Sequence, residues 1–206
     1  MDAEKQAILL LAAGASRRMG QAKQLLPYEG KTMITHLLAL LLRQERPLYV
    51  VLGAHRQRIK PELAPLPVRI IEHALWEAGM GTSLQLGLRS VLDHQPKIEQ
   101  VLCCVVDQVG LSEAVLADFW RLALSHDLIA ARYASGDYGV PALIGKSYFP
   151  AVWRLGPGQG AKPLLRRFES ELAYVHFPEG DFDVDDPEDW ALFLKKREEK
   201  SAEKGK

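Results

Sequence analysis

The chain has 206 residues, 48% of them hydrophobic, and its 26 basic and 26 acidic side chains cancel to a formal net charge of zero. That length and apolar content suit one core of α/β type, residues 1–206 as a single domain, rather than two independent units. The balanced charge argues against a nucleic-acid partner with its broad basic face, and no apolar run reaches membrane length, so the expectation is a cytoplasmic protein whose positive patches are local.

Met1-Asp2-Ala3-Glu4-Lys5 is charged and leads toward a strand, not toward the apolar region of a signal peptide. From there, apolar runs of strand length alternate with helix-like patterns, the signature of βαβ units and a mainly parallel sheet. Residues 7–11 form a short, wholly apolar run, which predicts an inner strand buried on both faces. A buried helix capped at Thr32 follows through Leu42, then a strand at 48–52, a helix over 55–63 ended by Pro65 and Pro67, and a strand at 68–72. Met80-Gly81-Thr82-Ser83 introduces a helix over 84–92, with Thr82 or Ser83 as the N-cap. A buried strand at 100–106 ends in Asp107-Gln108, and a helix over 113–125 and a strand at 128–133 come next. The turn at 135–139 lets 140–144 return as a hairpin partner, which makes the sheet mixed. Residues 156–162 read as a flexible loop opening a helix through Phe168. A short strand at 172–177 precedes the last helix, which starts at Pro187, and the tail over 197–206 is expected to fray. Cys103 and Cys104 are adjacent in an apolar run, a spacing that suits neither a disulfide framework nor a metal site. The six histidines show no ligand-pair spacing and default to core or surface.

Beyond the first strand, Ala12, Ala13, Gly14, Ala15 and Ser16 keep side chains out of the way, so backbone N–H groups can approach a ligand. Arg18 and Lys23 add formal charge beside them, a combination suited to several phosphates. The loop lacks the Gly-Lys-Ser/Thr ending of a Walker A sequence, and it is not a Gly-x-Gly-x-x-Gly dinucleotide fingerprint. Asp107 stands at the carboxyl end of a buried strand, where open α/β sheets place their ligands. A carboxylate at that edge makes a good ligand for a hard divalent cation that keeps most of its waters.

Leu11, Ala12, Ala13, Gly14, Ser16, Arg18, Met19, Gly20 and Lys23 fit the pattern Leu-Ala-Ala-Gly-x-Ser-x-Arg-Met-Gly-x-x-Lys, through which the chain resembles the MobA-like nucleotidyltransferases. Trp76 to Leu84 resembles a Gly-Met-Gly-Ser-Ser-Leu element of the molybdenum cofactor cytidylyltransferase branch. Val140-Pro141-Ala142-Leu143 and Gly158-Gln159-Gly160-Ala161-Lys162 resemble that branch's acceptor-side elements, and the residues from Asp183 to Asp189 its second acidic element, with Asp183 as understudy to Asp185. Val109 replaces the proline usual after the first aspartate, and Pro157 stands where aspartate is usual.

The resemblance implies a three-layer, Rossmann-like (GT-A-like) fold, a mainly parallel mixed sheet with helices on both faces. The N-terminal half would bind nucleotide and the C-terminal half the acceptor. The nucleotide would lie on Leu11, Ala12, Ala13, Gly14, Ser16, Arg18, Lys23, Gly81, Thr82 and Ser83. Pro141, Gly160, Ala161 and Lys162 would face the acceptor, and Asp107 and Asp185 would bind Mg²⁺. Lys23, Arg18 and Asp107 would carry catalysis. The implied reaction moves CMP from CTP to the terminal phosphate of a molybdopterin-type cofactor and releases pyrophosphate, with a molybdoenzyme as the protein that receives the product. Another small phosphate acceptor, GTP as donor, or a cofactor-binding chaperone without turnover are the alternatives.

Overall fold

The computed structural model describes residues 3–204. β1 (Gln6–Ala12) is buried along its whole length, with Ile8, Leu10 and Ala12 in one core cluster and Ala7, Leu9 and Leu11 in another. A strand sends successive side chains to opposite faces, so an unbroken apolar run demands cover on both sides. A small hairpin, β2 (Pro27–Tyr28) and β3 (Lys31–Thr32), comes next and has no counterpart in the sequence expectation. α1 (Met33–Leu42) starts at Thr32, whose hydroxyl accepts from the Thr35 N–H in a reciprocal capping box.

β4 (Leu48–Leu52), α2 (Arg56–Leu63) and β5 (Arg69–Glu72) follow as expected. α3 (Met80–His94) corrects the expectation at its start: the N-cap is Gly79, at φ 120°, and not Thr82 or Ser83. Glycine turns the chain into the helix without steric cost, so both hydroxyl residues fall inside the first turn. β6 (Gln100–Val105) leads to α4 (Glu113–Leu122), capped by the Ser112 hydroxyl. β7 (Leu128–Arg132) and β8 (Tyr138–Gly145) are antiparallel, and β8 also pairs with β6. α5 (Phe149–Val152) is a further helix absent from the expectation, followed by α6 (Lys162–Arg167), β9 (Ala173–His176) and α7 (Pro187–Lys204). Residues 197–204, expected to fray, continue α7, and Arg197 donates to Glu29 Oε1 at 3.4 Å. Residues 205 and 206 of that expectation, like Met1 and Asp2, lie outside the described residues.

The seven-stranded sheet runs β5-β4-β1-β6-β8-β7-β9, with β8 alone antiparallel to its neighbours. Ile34, Ile59 and Phe119 bring α1, α2 and α4 onto one face; Leu88, Val152 and Leu164 bring α3, α5 and α6 onto the other. This is the three-layer α/β nucleotidyltransferase fold anticipated above. Cys103 and Cys104 are free and buried in its core. A third cluster joins Met19 and Leu26, after β1, to Val184 and to Phe193 of α7. Through it the C-terminal segment is brought back against the first loop. No helix among the described residues is long and apolar enough to cross a membrane.

Candidate active site

β1 and β6 are neighbours, with Leu11 opposite Val105, so the loops that follow them leave the sheet side by side at its carboxyl edge. The backbone at the end of β1 and just beyond it is held by four hydrogen bonds from three groups. The buried Gln24 amide donates to Ala12 O at 3.0 Å and Gly14 O at 3.1 Å. The Ala54 N–H donates to Ala13 O at 3.0 Å, and His55 Nε2 lies 3.0 Å from Ala15 O. A carbonyl only accepts, so the His55 proton sits on Nε2. Four consecutive carbonyls are thereby tied back into the protein. The N–H groups of residues 14–18 have no acceptor among the described residues, which leaves the loop with the donor-rich face of an anion site. Ser16, at φ 52°, braces this shape by accepting the Lys23 N–H at 3.2 Å on its hydroxyl. The sequence reading missed the supporting roles of Gln24 and His55, since neither belongs to a spacing pattern.

Lys23 is only 8% exposed, buried deeper than the solvated position its place in a basic loop suggests. Its ammonium donates to Asp107 Oδ2 at 2.8 Å, Val184 O at 3.1 Å and Asp185 Oδ1 at 3.3 Å. Arg18 Nη2 donates to Asp185 Oδ2 at 2.5 Å. Burial pulls the Lys23 pKa down, but Asp107 and Asp185 outweigh it and hold the ammonium above its usual range. Asp183 is pushed up to about 6 by burial of its carboxyl and by repulsion from Asp107 and Asp185. Asp186 and Asp189 are occupied at the start of α7: Asp186 Oδ1 accepts from Asp189 N at 2.9 Å, and Asp189 Oδ2 from Asp185 N at 3.0 Å.

Asp107 Oδ1 is a buried acceptor without a partner among the described residues. An orphaned carboxylate oxygen beside a second carboxylate fits a hard divalent cation. No group of three or more His, Cys, Asp or Glu side chains able to hold a metal occurs among the described residues. The donor set therefore suits a cation that keeps waters and substrate phosphates as most of its ligands, as Mg²⁺ does, rather than a closed protein cage.

Two cavities open at this edge. The first, of about 490 Å³, is lined by Leu11, Ala12, Ala13, Gly14, Ser16, Arg18, Lys23 and Ser83 among the expected residues, together with Asp107 and Asp185. Gly81 and Thr82 do not line it. Gly81 packs on the 156–160 loop, and the Thr82 hydroxyl donates to Gly79 O at 2.7 Å. Trp76, Glu77, Gly79 and Met80 line it instead; the glycine ahead of the helix was the available sequence signal. The second cavity, of about 390 Å³, holds Gly160, Ala161 and Lys162. Lys162 pairs with Asp137 across it, and Pro141 is buried behind Val140. Gln108, Tyr133 and Asp181 line it without having been singled out. The 156–162 loop, expected to be flexible, is tied down: the Gly81 N–H donates to Pro157 O at 2.8 Å and the Gly156 N–H to Gln159 Oε1 at 2.7 Å.

Comparison with known proteins agrees with this geometry. Residues 8–173 match the MobA-like NTP transferase domain. The chain is 33% identical to nicotine blue oxidoreductase of Paenarthrobacter nicotinovorans over 171 residues, 77% of this chain and 80% of that one. It is 30% identical over 128 residues to a probable molybdenum cofactor guanylyltransferase of Mycobacterium ulcerans, spanning 61% of this chain and 60% of the relative. The crystal structure of Rv0371c from Mycobacterium tuberculosis H37Rv superposes with a TM-score of 0.82 at 23% identity, covering 94% of this chain and all (100%) of that one. Rv0371c has also been solved as a manganese complex, with a TM-score of 0.73 at 24% identity, over 93% of this chain and 98% of that one. At these identities the two structures establish the fold. With the family domain spanning residues 8–173, the chain belongs to the MobA-like NTP transferase family.

Proposed function

We propose that this protein transfers CMP from CTP to the terminal phosphate of a molybdopterin-type cofactor and releases pyrophosphate. The observation that carries the reading is the loop after β1, with four carbonyls tied back and free N–H groups facing a cavity that also holds Lys23, Asp107 and Asp185. The loop N–H groups take the triphosphate oxygens, while Lys23 and Arg18 offset the charge that grows on the leaving pyrophosphate. An oxygen of the acceptor phosphate forms the new bond to the α-phosphorus as the bond to pyrophosphate breaks. That oxygen is already nucleophilic, so the protein needs no serine or cysteine nucleophile, and its work is alignment and charge stabilisation. Buried Cys103, its thiol pushed up to about 12, is unsuited to such a role in any case. Mg²⁺ held by Asp107 and Asp185 supplies positive charge at the α-phosphate when bound.

Lys162, Ala161 and Gly160 line the side from which the acceptor enters, and a molybdoenzyme is the protein to which the finished cofactor passes. Ala13 lines the nucleotide-side cavity, and its methyl favours a pyrimidine over a purine. A single methyl discriminates by only about 1–3 kcal/mol, which gives preference rather than exclusion. The name of the Mycobacterium ulcerans relative supports the acceptor class and makes GTP the competing donor. The name of the Paenarthrobacter nicotinovorans relative raises a redox reading; against it, residues 14–20 lack the glycine spacing of a dinucleotide fingerprint.

The test is incubation with Mg²⁺, molybdopterin and an equimolar mixture of CTP and GTP, with pyrophosphate quantified and the product weighed by mass spectrometry. A cytidylyl product in excess is expected. A guanylyl product in equal or greater amount overturns the base assignment alone. Absence of pyrophosphate, with NAD(P)H-dependent dye reduction instead, overturns nucleotidyl transfer. Tight molybdopterin binding with neither activity indicates a carrier.

A further inference from the structure

Met80 combines a fixed backbone with a free side chain. Its neighbour Gly79 sits at φ 120° with Pro157 O 2.6 Å from where a Cβ would stand, and a Cβ on Gly81 would meet Gly156 O at 2.3 Å. The Gly81 N–H donates to Pro157 O at 2.8 Å, so two backbone segments dock without side chains between them. A relay holds the same turn from behind. Thr82 Oγ1 spends its one proton on Gly79 O at 2.7 Å, so the buried His73 must donate Nε2–H to that hydroxyl at 2.9 Å.

The Met80 side chain nonetheless is 49% exposed. It lines both cavities, and among the described residues the only others that do so are Val105, the last residue of β6, and Asp107, two positions beyond it. Met80 thus faces the candidate metal carboxylate from a different element, across the junction where nucleotide and acceptor meet. The space it occupies depends on Gly160, where a Cβ would come within 2.9 Å of the Met80 Sδ. An unbranched thioether has the flexibility to pack against two ligands of different shape.

We propose that Met80 covers the reacting phosphorus when both substrates are bound and so selects the acceptor's phosphate oxygen over water. This rests on the nucleotidyl-transfer reading. In transfer, the acceptor oxygen bonds to the α-phosphorus as pyrophosphate leaves. In the leak, a water oxygen makes that bond, the same pyrophosphate departs, and free CMP and a proton are released. Excluding water by an apolar side chain suppresses only the second path.

The experiment measures free CMP against cytidylyl product, with CTP, Mg²⁺ and molybdopterin, in the parent protein and in Met80→Ala, Met80→Leu and Gly160→Ala. Met80→Ala is expected to raise the CMP-to-product ratio about tenfold and to raise the KM for molybdopterin, with Tm unchanged. Met80→Leu keeps the parent ratio. Gly160→Ala, which displaces the thioether from the opposite side, moves the ratio in the same direction by less. Normal transfer with an unchanged ratio in both Met80→Ala and Gly160→Ala overturns the role of Met80 and leaves nucleotidyl transfer standing. A parent protein that releases no pyrophosphate overturns both.

Discussion

The two cavities that meet at Asp107 are built in different ways. The proposed nucleotide side takes its floor from one continuous stretch, residues 11–24, in which Gln24 ties back two of the four carbonyls from within the stretch and Ala54 and His55 hold the other two. The proposed acceptor side is assembled from residues near 108, 133–140, 160–162 and 180–183, which meet only in the folded chain. Its central tie is Gln108, 2% exposed, whose amide donates to Val140 O at 2.6 Å and to Gly180 O at 3.0 Å. A site made from one loop carries its shape in local sequence. A site made from distant turns depends on a few buried polar ties, and its ligand preference can drift without any motif changing.

The largest effects should come from Asp107, which lines both cavities, and from Lys23, whose ammonium donates to it at 2.8 Å. Lys23→Ala and Asp107→Ala are each expected to lower turnover by about a thousandfold or more, as loss of a preorganised charge at the reacting phosphate does. They differ in stability. Lys23→Ala leaves Asp107 and Asp185 without the ammonium that bridges them, so its Tm should fall and then recover in part with Mg²⁺. Near-normal activity in either variant, measured by pyrophosphate release, removes this edge as the reacting centre. For Asp185→Asn, activity lost at low Mg²⁺ should return at high Mg²⁺, because a weaker ligand set lowers metal affinity before it abolishes binding. A deficit that is flat across the Mg²⁺ titration assigns Asp185 to alignment instead.

A smaller change separates the cavities. Gln108→Leu removes the tie to Gly180 and leaves a buried carbonyl without its donor, at a cost of about 1–3 kcal/mol in stability. Steady-state kinetics should show a rise in KM for the acceptor and little change for CTP; equal rises for both substrates would mean that the two sides are not separately built. The smallest effect concerns His73, whose pKa burial lowers from the usual 6.5. The unfolded chain then takes up the proton first, so the stability due to the neutral ring is complete above pH 6.5 and declines as the pH falls below it. His73→Asn should flatten the loss of Tm between about pH 6.5 and pH 5. An unchanged slope assigns the acid sensitivity to other groups.

The same contrast explains what could be read in advance. β1 and α1 were legible because burial on two faces and a Thr32 cap leave periodic and local marks. The β2–β3 hairpin has two residues per strand and α5 only four, too few for any period to register. The start of α3 was misplaced because hydroxyl residues suggest a cap, whereas here the positive φ of Gly79 sets the turn. Lys23 was singled out by a contiguous motif, Asp107 by a strand end and Asp185 by the resemblance carried by residues 183–189, and the fold brings the three side chains together. Gln108 was passed over since its function lies in a contact with Gly180, 72 positions along the chain. The wall shared by Met80, Val105 and Asp107 exists only once α3, β6 and the 156–160 loop have packed.

The most direct test is amide hydrogen exchange with and without CTP and Mg²⁺. With the carbonyls of residues 12–15 tied back, the N–H groups of residues 14–18 are the donors that the proposed reading assigns to the triphosphate. Protection on nucleotide binding should therefore concentrate at residues 14–18, with a second, weaker zone at 79–83 and little change at 133–140. Nucleotide binding that leaves residues 14–18 exchanging as in the free protein would contradict the assignment of this loop as the phosphate site.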